Sequence, residues 1–382
     1  MYDILDFGDM INDKGRMDAY INALRTVVES DSVVLDIGTG TGIFSLMACK
    51  FGARKVYAIE PLDTIQLAKD LAQENNYFKY ITFYQGDSRK IELPEMANII
   101  ISDLRGRLPL FEQNIPTVID ARKRFLAPSG TLIASQDTLW AALVEAPEMY
   151  RRFTGPWNGD ELGINMKSAL SFVTSTWWTS DECDKGMVAE PICWATINYY
   201  TIESPDITGD LTWKIDQGAL VHGIRVWFDT VLIKNIGFSN APDQIRHIYR
   251  SMFFPWPEPV NLEKGDTVSI TLQADLVSDE YVWRWNTRVD IDGDPKKVRA
   301  EFKQTSFNGN PLSISDLQKR AAGYRPILND DGLIDLHIMN MMEQGLILED
   351  MSHRIVEQFP ERFRDLSQAL AYVGELSIKY SH

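Results

Sequence analysis

At 382 residues the chain is too long for one average domain and is expected to divide into two or three. Its apolar and charged shares, 45% and 24%, are those of an ordinary globular protein, and no apolar run approaches the roughly 18–20 residues that span a bilayer, so no membrane partner is expected. The formal net charge of −16 opposes a phosphate backbone, which excludes nucleic acid and leaves a cationic substrate compatible, although an acidic surface also serves solubility alone.

From Val33 the chain alternates strand and helix. "SVVLDIG" reads as a buried strand, "IFSLMACKFGA" as a helix closing near Gly52, "KVYAIE" as a second strand and "TIQLAKDLAQENN" as a helix. "ITFYQGD" and "ANIIISD" follow as strands, then "IPTVIDARKRFLAPSG" as a helix ended by Pro128, then the strand "TLIAS". This alternation predicts a parallel sheet with helices on both faces, an α/β Rossmann-like domain over residues 1–135. Near Gln136 the pattern changes to short β-rich segments such as "CWATINYYTI", "ALVHGIRVWFDTVL" and "TVSITLQADLV", separated by turn clusters including "SPDITGD" and "EKGD". An antiparallel sandwich or β-barrel domain is expected over 136–310, with a helical insertion near 147–185, and a helical module over 311–382.

The N-terminal "MYDILDFGDM" lacks the basic start and apolar core of a secretory signal. Cys49, Cys183 and Cys193 form no CxxC pair, and the histidines, scattered from His222 to His382, have no metal-ligand spacing. A reduced, cytoplasmic, metal-free protein is expected.

The strongest chemical signal is Asp36-Ile-Gly38-Thr39-Gly40-Thr41-Gly42 between a strand and a helix. Its spacing is GxGxG, whereas a dinucleotide site prefers GxGxxG. Glu60 ends the next strand, placed for its carboxylate to accept two ribose hydroxyls, and Asp87 follows the third strand, where an adenine amino group would fall. The loop "SDLRGRLPLFEQ" at 102–113 sets Asp103 and Glu112 at its ends with Arg105 and Arg107 between. Two acids could hold a cation and two arginines could repel it. Which pair faces inward is left open by an irregular loop.

With these residues the chain resembles class I S-adenosylmethionine-dependent methyltransferases of the protein arginine methyltransferase type. "DMINDKGRMDAY" matches the family's N-terminal element through Met10, Asp13, Arg16 and Tyr20, and "VVLDIGTGTGIFSLMACKFGARKVYAIE" matches its first two motifs. "IISDLRGRLPLFE" falls where the family has a loop of two glutamates, and "QIRHIYRSMFF" where it has a Thr-His-Trp stretch, with His247 shifted by one place. The resemblance implies a cofactor-binding set of Met10, Arg16, Asp36, Gly38, Thr39, Gly40, Glu60, Pro61, Asp87 and Ser88, with Arg16 on the cofactor's carboxylate and Met10 lining the transfer site. It implies Asp103, Glu112 and His247 as catalytic residues, the two acids orienting or deprotonating the acceptor and His247 orienting an acid. Asp103 is one methylene shorter than the family's glutamate, about 1.5 Å of lost reach.

The implied function is S-adenosylmethionine-dependent N-methylation of a guanidinium or amine on a peptide, protein or small metabolite, with S-adenosylhomocysteine as product. An O- or N-methyltransferase of another peptide or natural product, and a catalytically silent cofactor-binding protein, stand as alternatives. The resemblance also implies a homodimer through the 147–185 arm, where Trp157, Leu162, Ile164 and Met166 would be covered. Near the C-terminus "LEDMSHRIVEQF" resembles the second helix of the PqqD-like winged-helix modules that hold leader peptides, while a plain helical appendage also fits the spacing.

Overall fold

The computed structural model describes residues 3–381 except 160–162, 181–185, 243 and 245–246. The chain forms two compact units, Met1–Pro311 and Leu312–His382.

The first unit opens with helices α1 (Ile4–Asn12) and α2 (Lys14–Val27). Asp3 accepts from the Leu5 and Asp6 amides while the Asp6 carboxylate accepts the Asp3 N–H, a reciprocal cap that starts α1. Asp13 separates the helices and caps α2 through the Arg16 amide. Strands β1 (Val33–Ile37), β2 (Lys55–Glu60), β3 (Ile81–Gln85), β4 (Ala97–Ser102) and β5 (Leu126–Ile133) then alternate with α3 (Ile43–Lys50), α4 (Thr64–Glu74) and α5 (Asn114–Arg124). The strands pair in parallel in the order β3-β2-β1-β4-β5. Every residue of β1 is buried, as in a sheet covered on both faces. Strand order reverses between β1 and β4, so the carboxyl ends of β1, β2 and β4 open on the crevice where such sheets take ligands.

Helix α5 stops at Arg124, short of the expected end at Pro128, which instead lies inside β5. The β4–β5 register shifts between Ala97↔Leu126 and Ile99↔Thr131, and Pro128 occupies that irregularity, where no ladder donor is needed.

The antiparallel part holds β6 (Gln136–Val144), β7 (Trp178–Ser180), β8 (Ile192–Asn198), β9 (Ile207–Lys214), β10 (Ala219–Ile233), β11 (Ile236–Ser239), β12 (Ser251–Leu262), β13 (Thr267–Val277), β14 (Glu280–Asp290) and β15 (Val298–Thr305). Among the described residues these form one sheet ordered β7-β12-β10-β6-β8, with β11 on β10, and a second ordered β15-β14-β13-β9. Two strands run against the sequence pattern. β9 begins inside the turn cluster "SPDITGD", and β12 contains Pro255, Pro257 and Pro259. The β10–β12 register jumps from Val221↔Val260 to Gly223↔Pro255, so residues 256–259 bulge opposite His222. The insertion carries α6 (Pro147–Asn158) and α7 (Leu170–Thr174), and Leu162 lies outside the described residues.

The second unit contains α8 (Ile314–Lys319), α9 (Asp330–Glu343), α10 (Leu348–Gln358) and α11 (Leu366–Tyr380). Ile334, Ile338, Met351, Ile355 and Val373 build its own core. Its described residues form no strand, which corrects the winged-helix expectation. Phe363 turns into the core between α10 and α11. No described helix is long and apolar enough to cross a membrane.

Candidate active site

After Ile37 the chain turns sharply into α3. Gly38 and Gly40 hold φ of +71° and +53°, a region that side chains with a Cβ rarely enter. The amides of Gly38 and Thr39 both donate to the Ile59 carbonyl, at 2.9 and 3.0 Å, which fastens the turn to β2. Asp36 is buried beneath it, accepting from Thr39 Oγ1 at 2.6 Å and Ser45 Oγ at 2.7 Å. Burial pushes its carboxyl up to about 6 despite those hydrogen bonds. Asp36 thereby clamps the turn onto α3.

Glu60 supplies the ligand-grade geometry. Its Oε2 accepts the Gly40 N–H at 2.9 Å and its Oε1 the Leu62 N–H at 3.0 Å. Each oxygen keeps a second lone-pair site, so the carboxylate can take two further donors side by side. Burial raises its carboxyl, and the two amides oppose that rise. Leu104 and Phe7 stand over the turn: a Cβ on Gly38 would meet Leu104 at 2.4 Å, and one on Gly40 would meet Phe7 at 2.5 Å. The donor set suits a nucleoside: a buried carboxylate beside a Cβ-free turn, roofed by apolar side chains.

The other expected cofactor residues are dispersed. Asp87 pairs with Arg89, whose Nη2 donates at 2.8 Å, and this hydrogen bond holds its carboxyl below the usual carboxylate range. Ser88 is buried and its carbonyl accepts from Arg124 at 2.8 Å, while Pro61 is exposed. Met10 enters through its carbonyl, which accepts from Arg16 Nη1 at 3.0 Å.

The loop after β4 turns both Asp103 and Arg105 inward. Asp103 Oδ2 accepts from Arg16 Nε at 2.7 Å and from the Tyr249 hydroxyl at 2.5 Å, and it pairs with Arg16 Nη2 at 2.5 Å. Burial alone would raise this carboxyl, but the Arg16 and Arg105 guanidiniums hold it below its ordinary value. Arg105 Nη1 donates to Asp137 Oδ1 at 3.0 Å and Thr230 Oγ1 at 2.6 Å, its Nη2 donates to the Tyr20 hydroxyl, and its Nε faces Asp103 Oδ1 at 3.4 Å. Asp137 is completed by the Tyr199 hydroxyl at 2.5 Å. The sequence left the direction of Arg105 open, and the fold answers it. Arg16 meets the carboxylate of Asp103 within the protein.

Glu112 differs sharply from Asp103. It is exposed, its φ is +40°, and among the described residues its side chain makes no hydrogen bond or ion pair. The expected pairing of Asp103 and Glu112 is thus replaced by one acid locked in the interior and one presented outside. Arg107 is exposed. His247 is buried and bonds Asp13 at 2.9 Å, so the acid it orients is the α2 cap and neither acid of the loop. Only a glycine at position 15 admits the ring, since a Cβ there would lie 2.5 Å from His247 Cε1. Tyr249, two residues on, is the member of this segment that reaches the loop. Sequence reasoning missed Tyr249, Asp137, Tyr199 and Ser45; the one available signal was an acid, Asp137, at the start of the apolar run "DTLWAALV".

Comparisons with known proteins agree with this architecture. Residues 18–136 match the family described as ribosomal protein L11 methyltransferase (PrmA), and residues 135–290 match the arginine methyltransferase oligomerization subdomain. Protein arginine N-methyltransferase 2 of Dictyostelium discoideum is 28% identical over 248 residues, covering 62% of this chain and 47% of that protein. Protein arginine N-methyltransferase 8-B of Danio rerio is 28% identical over 276 residues, covering 69% and 65%. The chain thus spans about half to two thirds of the length of these relatives. Among solved structures, Arabidopsis thaliana protein arginine methyltransferase 10 superposes with a TM-score of 0.71 at 24% identity, covering 79% of this chain and 97% of that one. The Trypanosoma brucei PRMT1 enzyme–prozyme heterotetramer with AdoHcy gives 0.70 at 21% identity, covering 78% and 96%. The likeness runs from the glycine turn through the antiparallel sheets, across the joint between the two matched regions, and over both the chain is similar to protein arginine methyltransferases.

Proposed function

We propose that this chain is an S-adenosylmethionine-dependent methyltransferase acting on a nitrogen, guanidinium or amine, of a protein, peptide or small molecule. The observation that carries the reading is Glu60, buried under the Gly40 amide with one acceptor site left on each oxygen. When bound, S-adenosylmethionine supplies an electrophilic methyl and leaves as S-adenosylhomocysteine. Glu60 would take the two ribose hydroxyls and Asp87 would stand near the base. Arg16, fixed by Asp103 and Tyr249, would face the amino-acid end, and Glu112 would accept the N–H of the acceptor.

Glu60→Ala is expected to weaken S-adenosylhomocysteine binding by about 1–3 kcal/mol, because two hydroxyls and the Gly40 amide lose a charged acceptor. Isothermal calorimetry checks this. Unchanged affinity in a folded variant would remove Glu60 from the site, and tight binding of NAD by the wild type would overturn the cofactor assignment.

A homodimer through the 147–185 arm is part of this proposal. Trp157 and Ile164 are 38% and 60% exposed there, apolar surface that a partner copy would cover. Light scattering at micromolar concentration is expected to give twice the 43.5 kDa chain mass, and a monomer would count against the arm. Cys49 and Cys193 are free thiols, which supports a cytoplasmic setting. A second reading, an acceptor other than a guanidinium, is favoured by one observation: Asp103 already holds a guanidinium of its own.

A further inference from the structure

Glu112 has no side-chain partner among the described residues, yet its backbone sits at φ +40°, a conformation that persists where neighbours impose it. On one side the Phe111 ring lies against Gly106, where a Cβ would meet it at 2.4 Å, and Asn114 Nδ2 closes the loop on the Pro109 carbonyl at 2.8 Å. Those contacts stay within the loop and its helix. Gln113 reaches further. Its Nε2 donates to the Ser278 carbonyl at 2.7 Å and to Asp279 Oδ1 at 3.1 Å, 165 and 166 positions along the chain. Its Oε1 accepts from Arg89 Nη1 at 2.7 Å, while Nε and Nη2 of the same guanidinium grip Asp87 at 3.0 and 2.8 Å. Ser278 and Asp279 form the turn between β13 and β14. Both donors of the amide and its oxygen are thus engaged, and two of the three bonds have an ionised partner, which strengthens them.

We propose that Gln113 is a positioning residue for Glu112: a side-chain amide that pins the loop between the β13–β14 turn and the Asp87–Arg89 pair. The inference rests on the methyltransferase reading above, with Glu112 on the acceptor's N–H, and adds the residue that keeps this acid in register with the cofactor. An orienting acid works from a narrow range of positions, and a displacement of about 1 Å can cost roughly a hundredfold in rate. Glu112 is exposed and has no side-chain bond of its own to resist such a shift, so the neighbouring amide supplies the restraint. The amide chemistry is specific. A glutamate at 113 would keep an acceptor for Arg89 but would offer no donor to the Ser278 carbonyl and would repel Asp279.

The first measurement is hydrogen exchange of the full chain with S-adenosylhomocysteine bound, read by mass spectrometry. Q113A is expected to speed exchange in peptides covering 108–113 by about tenfold or more, with peptides from β1 and β4 unchanged. Q113E is expected to do the same, because it loses both donors to the turn. The second measurement is transfer of labelled methyl to acetyl-Gly-Gly-Arg-Gly-Gly-amide and acetyl-Gly-Gly-Lys-Gly-Gly-amide. Q113A is expected to lower kcat about tenfold, with KM for S-adenosylmethionine shifted less than about threefold. In an E112Q background the same change is expected to add less than about twofold, since it acts through the acid already removed. Unchanged exchange in Q113A overturns the proposal, and so does a Q113A effect that persists in full after E112Q. If neither peptide accepts label, the exchange comparison decides by itself. An E112Q variant with the wild-type rate, or failure of S-adenosylhomocysteine to bind, would instead sink the reading on which the inference rests.

Discussion

Asp137→Ala is expected to destabilise the first unit by about 3–5 kcal/mol. Asp137 is fully buried, and its two oxygens answer Arg105 Nη1 on one side and the Tyr199 hydroxyl on the other. Removing it strands a guanidinium in the interior with only the long contact to Asp103, at 3.4 Å, as counter-charge. By contrast, removing Glu95, whose pair with Arg54 is 36% and 50% exposed, is expected to cost only about 0–1 kcal/mol. Urea denaturation followed by tryptophan fluorescence separates the cases cleanly, because all ten tryptophans lie between Trp140 and Trp285, inside the first unit. A loss below about 1 kcal/mol for Asp137→Ala would show that Arg105 does not depend on this partner.

Glu112→Gln is expected to lower turnover at least about a hundredfold while leaving S-adenosylhomocysteine affinity nearly intact. The substitution keeps shape and removes the charge that would orient the acceptor and take its proton. Glu112 sits exposed at φ +40°, a backbone conformation that is costly for a glutamate and is tolerated where the surrounding loop imposes it. Its side chain supports no other described residue, so a fall in rate could not be blamed on lost structure. Single-turnover methylation of the true acceptor, with calorimetry of the product alongside, distinguishes the outcomes. Full activity in the variant would remove Glu112 from the chemistry.

The parallel sheet was legible because a strand buried on both faces must read as a continuous apolar run, as "VVLDI" and "KVYAIE" do. The glycine turn was legible because positive φ demands glycine at fixed spacing. β12 was not, since "PWPEP" reads as a breaker until one sees that residues 256–259 bulge out of the ladder. In the site, Glu60 was placed by its position at a strand end. The bonds of Asp36 to Thr39 and Ser45 were not legible, because a buried carboxylate serving those hydroxyls has the same local sequence as one serving a ligand. The direction of Arg105 could not be read at all, for the acid that turns it inward, Asp137, lies 32 residues away and Thr230 lies 125 away.

The cap of α2 has a consequence in time. Asp13 bonds His247 across 234 positions, and Arg16 bonds Tyr249 across 233. A chain leaving the ribosome can complete its parallel sheet by Ile133, long before either partner exists. The N-terminal helices must then wait, with Tyr20 lacking its ring neighbour Phe238, until β10 to β12 have formed behind them. Contacts of such separation close slowly. The Rossmann-like half would therefore be born with its site unassembled, and the protein would gain a competent crevice only after the antiparallel sheets had folded.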